Sequence, residues 1–202
     1  MSLEIVGQKA KAAARTAARL SQTEINLALS AMADALEENS EEILAENQKD
    51  ILAAQENGIR EIMIDRLLLT EERIHQIAQG VREVAALKSP VGEIRDMRRM
   101  ENGLQIGKMR VPIGVIAIIY ESRPNVTADC AALCLKTGNA VILRGGKEAI
   151  HSNIAITKTI QKALERTSVT PNAVQLVTDT SRETAQQLMK LNRYVDVLIP
   201  RG

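Results

Sequence analysis

Residues 111–153 read VPIGVIAIIYESRPNVTADCAALCLKTGNAVILRGGKEAIHSN. Gly114 to Tyr120 is apolar at every second and every intervening position, the mark of a strand covered on both faces. Val126 to Leu135 reads as a helix, and Ala140 to Leu143 as a second short apolar strand. The alternation continues beyond this stretch. Glu148 to Arg166 is helical, Ala173 to Val177 a strand, Arg182 to Leu191 a helix and Val195 to Ile199 a strand. A βαβαβαβ order predicts an α/β fold: an open, parallel, Rossmann-like sheet with helices on both faces.

Upstream of this stretch, the first 88 residues read as a helical segment. Ser21-Gln22-Thr23-Glu24 is a capping box, in which the serine hydroxyl and the glutamate carboxylate each satisfy an amide at the helix start. The helix it opens carries Ile25, Leu29, Met32 and Leu36 at helical spacing. Ser40, with Glu41 and Glu42, starts another, ended by Asn57-Gly58 as a left-handed cap. Thr70-Glu71-Glu72 starts a third, which runs to about Lys88, before Pro90. No chemistry is legible in these helices. Glu93 to Met100 and Leu104 to Val111 flank Asn102-Gly103, a pair suited to a two-residue hairpin turn with both turn residues at positive φ. The predicted division is therefore a helical segment over 1–88 that packs on the following domain, a β-hairpin over 89–112 and an incomplete cofactor domain over 113–202.

Composition narrows the function. The chain has 202 residues, 45% hydrophobic and 25% charged, with no Phe or Trp, and Tyr120 and Tyr194 are its two aromatics. Leu, Ile, Val, Met and Ala must build the core, and the aromatic platforms of a single-strand nucleic-acid binder are missing. A net charge of +1 provides no general field for nucleic acid or an anionic membrane. No apolar run reaches the ~18 residues of a membrane span. Met1 to Leu20 lacks a signal-peptide core, and its Lys9, Lys11, Arg15 and Arg19 are not read as a transit peptide, so a cytoplasmic location is expected. Cys130 and Cys134 stand one helical turn apart among Ala131, Ala132, Leu133 and Leu135. They read as small buried hydrophobes, and no metal site is expected.

In open α/β sheets ligands gather beyond the carboxyl ends of the strands. The loop after the first strand is Glu121-Ser122-Arg123-Pro124-Asn125. Asn125 suits a helix cap, and its amide also suits donation to an oxyanion. The loop after the second strand is Arg144-Gly145-Gly146-Lys147-Glu148. Its glycines allow close backbone approach, a helix start offers free amides to a phosphate, Arg144 and Lys147 add two cations, and Glu148 can accept from a ribose hydroxyl. It is not a P-loop, since Val141 stands where the leading glycine belongs and Glu148 follows the lysine.

Taken together, Tyr-Glu-Ser-Arg-Pro-Asn-Val-Thr (120–127), Leu-Arg-Gly-Gly-Lys-Glu-Ala (143–149) and Val-Asp-Val-Leu-Ile-Pro-Arg-Gly (195–202) resemble γ-glutamyl phosphate reductases of the aldehyde dehydrogenase superfamily. The resemblance covers almost the whole chain. It implies an aldehyde dehydrogenase-like fold and NADPH-dependent reduction of L-glutamyl 5-phosphate to glutamate 5-semialdehyde through a cysteine thioester. It implies oxyanion stabilisation by Asn125 and a ribose contact by Arg144, with Lys147 or Glu148 as the second contact. The pair Arg144 and Lys147 would suit a 2′-phosphate, while Glu121, Ser122 and Arg123 would line the cofactor cleft. By superfamily analogy the hairpin joins subunits of a homo-oligomer. Family members are about twice as long, with the nucleophilic cysteine in the other half. The chain alone is therefore expected to be inactive, and no glutamate kinase fusion is expected before Met1. The alternatives are a non-catalytic nucleotide-binding module and a related acyl reductase for a different acyl group.

Overall fold

A computed structural model describes residues 2–201. Its elements are α1 (Leu3–Ala17), α2 (Gln22–Glu38), α3 (Ser40–Glu56), α4 (Glu61–Leu67), α5 (Glu71–Ala86), β1 (Ile94–Arg99), β2 (Gln105–Met109), β3 (Val115–Tyr120), α6 (Asn125–Lys136), β4 (Ala140–Arg144), α7 (Ile150–Leu164), β5 (Val174–Leu176), α8 (Arg182–Met189) and β6 (Val197–Arg201). The sheet is parallel, in the order β5-β4-β3-β6. β3 lies between β4 and β6 and is covered by α6 on one face and α1 on the other, which is why its residues are apolar throughout and nearly all buried. The helices α6 and α7 pack together on one side of the sheet, with α2 and α5 stacked outside them, while α1 packs across β3, β4 and β5 and touches α8. One hydrophobic cluster runs from α1 and α2 through the sheet, so the N-terminal helices share the core of the strands.

The helix signals are realised as local hydrogen bonds. Ser21 and Glu24 form the reciprocal capping box. Gly58 closes α3 at φ +65°, with the Ile59 amide donating back to the Ala54 carbonyl. Two helices, α1 and α4, went unnamed in the sequence reading. α1 carries its buried face on Val6, Ala10, Ala13, Ala14 and Ala17, a stripe too alanine-rich to stand out as apolar.

Several boundaries differ from expectation. The hairpin forms, but its turn is longer than the two-residue reading. The Gly103 amide donates to the Met100 carbonyl and the Met100 amide to the Leu104 carbonyl. Only Gly103 of the Asn-Gly pair has positive φ, at +86°. This is a type I turn followed by one left-handed glycine, which demands less of Asn102. β6 begins two residues late because the Asp196 carboxylate takes the Val115 amide at 2.8 Å and Lys11 at 2.6 Å. The helix expected from Glu148 starts instead with a 3₁₀ turn, Lys147–Ala149, and becomes α-helical at Ile150.

Candidate functional site

The tips of β3 and β4 are neighbours, because their strands pair from Val115↔Ala140 to Ile119↔Arg144. The loops that follow are joined directly, Ser122 Oγ donating to Glu148 Oε2 at 3.0 Å. The segments carrying Asn125 and Arg144 therefore leave the sheet at adjacent strand ends. A methyl group on Gly146 would lie 2.8 Å from Glu148 Oε2 and 3.3 Å from Ser122 Oγ. On Gly145 it would collide with the amide of Asn153 and meet the Tyr120 ring at 3.1 Å. Neither glycine has positive φ. The Gly-Gly pair is thus required where the two loops close on each other, as well as for any ligand.

Behind Gly145 runs a buried polar chain. The Tyr120 hydroxyl bonds Thr127 Oγ1 at 2.8 Å, and Thr127 Oγ1 donates to Asn153 Oδ1 at 2.9 Å. Burial pushes the Tyr120 phenol well above its usual range, so it stays neutral. Asn153 Nδ2 has no partner among the described residues.

Asn125 is the first residue of α6 and makes no capping bond; the N-cap position belongs to Pro124. Its Nδ2 donates instead to Asp129 Oδ2 at 3.0 Å, one turn further along. The capping role considered from sequence is not realised, and an amide with one N–H held and one unassigned remains. Arg144 is turned inward, its Nη2 donating to the carbonyls of Thr180 at 2.5 Å and Ser181 at 3.3 Å, while its Nε is buried without a partner among the described residues. The guanidinium thereby ties the β4 tip to the segment before α8. Of the two cations, Lys147 is the exposed one.

Two amides at the start of α7 are occupied by a side chain of the N-terminal helices. Asp50 of α3 accepts from the His151 amide at 3.1 Å, the Ser152 amide at 2.8 Å and Ser152 Oγ at 2.6 Å. Beside it, Asn47 Nδ2 donates to Ser152 Oγ at 2.9 Å and to the Leu67 carbonyl at 2.9 Å, and Asn47 Oδ1 accepts from the Leu69 amide at 2.8 Å. Both residues are 2% exposed. Burial raises the Asp50 carboxyl above the usual range against the opposing pull of these bonds. A carboxylate thus sits at the start of α7 in the place of a ligand anion. The signal was present in the sequence: Asn47 and Asp50 fall on the face that carries Ile43, Ile51 and Ala54, where apolar residues belong.

Cys130 and Cys134 are buried, free thiols. Burial raises the Cys130 thiol and pushes that of Cys134 up to about 12, so neither is a thiolate near neutral pH. This agrees with reading them as packing residues.

A parallel sheet whose strand tips carry an unassigned amide and a cationic, glycine-bearing loop belongs to the open α/β class, in which ligands gather beyond the carboxyl ends of the strands. The sequence pattern of the aldehyde dehydrogenase family matches residues 2–198, and the chain belongs to that family. The chain is 54% identical over 202 residues to a gamma-glutamyl phosphate reductase of Thermoanaerobacter sp., covering 100% of this chain and 49% of that protein. It is 56% identical over 200 residues to the enzyme of that name from Enterococcus faecalis, covering 99% and 48%. The crystal structure of gamma-glutamyl phosphate reductase from Thermotoga maritima superimposes with a TM-score of 0.98 at 39% identity, covering 100% of this chain and 49% of the other. The Saccharomyces cerevisiae enzyme gives 0.90 at 31%, covering 100% and 51%. The chain spans about half the length of the relatives it matches.

Proposed function

We propose that this chain forms the nucleotide-binding half of an NADPH-dependent reductase that converts L-glutamyl 5-phosphate to L-glutamate 5-semialdehyde and phosphate. The observation that carries the reading is the juxtaposition of the two loops at neighbouring strand tips. Asn125 at the start of α6 and the Arg144–Glu148 loop are locked together by the Ser122–Glu148 bond in a chain 54% identical to proteins of that name. A nicotinamide nucleotide, when bound, supplies the hydride. The residues present fit one. Glu148 keeps acceptor capacity for a ribose hydroxyl beyond its bond to Ser122, Lys147 offers an exposed cation to a phosphate, and Arg144 Nε is a buried donor awaiting an acceptor. Glu121 and Arg123 lie in the loop after β3, and Gly145 and Gly146 in the loop after β4, the two loops that Ser122 and Glu148 join.

Asn125 supplies the chemistry this half contributes. As a nucleophile adds to the acyl carbon, negative charge grows on the carbonyl oxygen, and a fixed N–H donor lowers that barrier by ~3 kcal/mol. Asp129 holds the amide in orientation by taking its other N–H. The nucleophile is a cysteine outside this chain: its thiolate displaces phosphate to give a thioester, which is then reduced to the aldehyde. The protein acts in the cytoplasm as a homo-oligomer on this small-molecule substrate. The test is acyl-phosphate-dependent NADPH oxidation by the full-length protein, followed by the absorbance of the reduced cofactor. Cofactor consumption that does not depend on the acyl phosphate would overturn the reading.

A further inference from the structure

The bond that orients Asn125 creates a charge problem. Asp129 is half-buried, and Asn125 is its one hydrogen-bond partner among the described residues. It closes no salt bridge; Arg201, at the end of β6, acts on it only through space. Burial raises its carboxyl above the usual range, as expected of an anion short of partners. An oxyanion forming against the Asn125 amide would therefore grow beside a carboxylate one helical turn away. Like charges at ~5 Å in a partly desolvated site slow such a step by on the order of tenfold or more. A cation arriving with the substrate would remove that penalty.

Asn125 and Asp129 line the same cavity of about 320 Å³. Its lining also includes Arg66 of α4 and Arg73 of α5, and Arg123 of the loop before α6. Arg73 is committed to Asp65 and to the Leu68 carbonyl. Among the described residues, Arg66 has one side-chain contact of this kind, to the Met63 sulfur at 3.8 Å, and Arg123 has no side-chain hydrogen bond. The cavity thus offers one under-compensated carboxylate close to the reacting centre and two uncommitted guanidiniums further out.

We propose that this cavity binds the zwitterionic α-amino-acid end of the substrate, with Asp129 taking the α-ammonium and Arg66 and Arg123 the α-carboxylate. Asp129 thereby selects a free amine over an N-acylated one. The spacing fits a glutamyl chain: two methylenes separate the reacting carbonyl from the α-carbon, and residues four apart on a helix stand ~5–6 Å from each other. The ammonium both anchors the substrate and neutralises the carboxylate that would oppose the oxyanion. The inference rests on the acyl-phosphate reductase reading and adds its specificity.

The test uses the full-length protein in the reverse, phosphate-dependent direction. It compares kcat/KM for glutamate 5-semialdehyde, its N-acetyl derivative and butanal. The wild-type protein should prefer the free amine to the N-acetyl compound by about tenfold or more. Asp129→Asn keeps an acceptor for the Asn125 amide and deletes the charge, so it should collapse that preference chiefly by losing activity on the free amine. Arg66→Ala, on the surface, should raise KM for glutamate 5-semialdehyde by a larger factor than KM for butanal, which has no carboxylate to lose. Equal kcat/KM for free and N-acetylated aldehydes in the wild-type protein overturns the inference without any variant. So does an Asp129→Asn variant that loses the same factor on both. If none of the aldehydes is turned over, the reductase reading falls first and this inference with it.

Discussion

At the scale of single residues, the site turns on which polar atoms are already committed. Asn125 has given one N–H to Asp129 and keeps the other. With full-length protein, Asn125→Ala should lower kcat by about a hundredfold or more while leaving the Kd for the reduced cofactor nearly unchanged, since one fixed donor to an oxyanion is worth ~3 kcal/mol. Stopped-flow turnover and fluorescence titration separate the two effects; unchanged turnover removes Asn125 from the oxyanion role. The two cations of the second loop should behave differently from each other. Lys147 is exposed and Arg144 is tied to the Thr180 and Ser181 carbonyls. Lys147→Ala should weaken NADPH by about tenfold more than NADH, as expected for one charge-assisted phosphate contact. Arg144→Ala should weaken both cofactors and lower thermal stability, because it releases the segment before α8. An equal loss of both cofactors in Lys147→Ala would take that side chain away from the 2′-phosphate. The sequence could nominate these residues, because Asn, Arg and Lys at strand tips are informative by type. It could not say which donors fold inward, since that depends on carbonyls 36 residues away.

At the scale of elements, most of the plan was legible because it is local. Apolar strands, capping boxes and terminal glycines act within a few residues of themselves, and they placed β3, β4, α2, α3 and α6 within a residue or two. What escaped was set at longer range. The start of α7 is governed by Asp50, about a hundred residues earlier, whose carboxylate claims the His151 and Ser152 amides and so decides that the loop after Gly146 passes through a 3₁₀ turn. Asp50→Ala should cost about 2–3 kcal/mol in urea unfolding, because three donors, two of them buried, lose their acceptor. In the full-length protein it should also raise KM for NADPH more than KM for the acyl substrate. A variant with wild-type stability would show that water substitutes for the carboxylate. A second tie joins α2 and α5, where Arg82 pairs with Glu37 and with Asp34 at 2.7 Å. The Arg82 hydrogen bond holds the Glu37 carboxyl down at about 2, from 4.5. A depressed folded pKa means stability present above about 4.5 and lost as pH falls from there towards about 2. The pair is a third exposed, so its share is small, under about 1 kcal/mol. Glu37→Gln should flatten the acid limb of the Tm–pH curve by that amount; an unchanged limb would assign acid unfolding to other carboxylates.

At the scale of the whole molecule, the hairpin is the element that the core does not explain. Every residue of β1 and β2 is exposed, including Ile94, Met97, Ile106 and Met109, and Leu104 in the turn is 60% exposed. Yet its local structure is well determined. The strands pair from Ile94↔Met109 to Arg99↔Gln105, and a bulge puts Asp96 at φ +52°. Gly107 leaves room for Met97, whose sulfur would lie 2.8 Å from a methyl group there. An isolated two-stranded ribbon is at best marginally stable in water, so a hairpin with this much exposed apolar surface is expected to be paired in its working state. The homo-oligomer proposed above gives it a partner of the same chain. Replacing Met97, Leu104 and Ile106 together by Ser, Asn and Thr should shift the full-length protein to a smaller species in light scattering behind size exclusion, while the circular dichroism of the core is preserved, because none of the three side chains contributes to the buried cluster. Replacing Gly107 by Val should do the same by a different route, forcing Met97 out of place and disturbing the ribbon's register. If both variants keep the wild-type mass, the ribbon is not the subunit contact. Its apolar side chains would then have to be covered from within the same polypeptide, which limited proteolysis across Asn102-Gly103 would reveal as protection in a monomer.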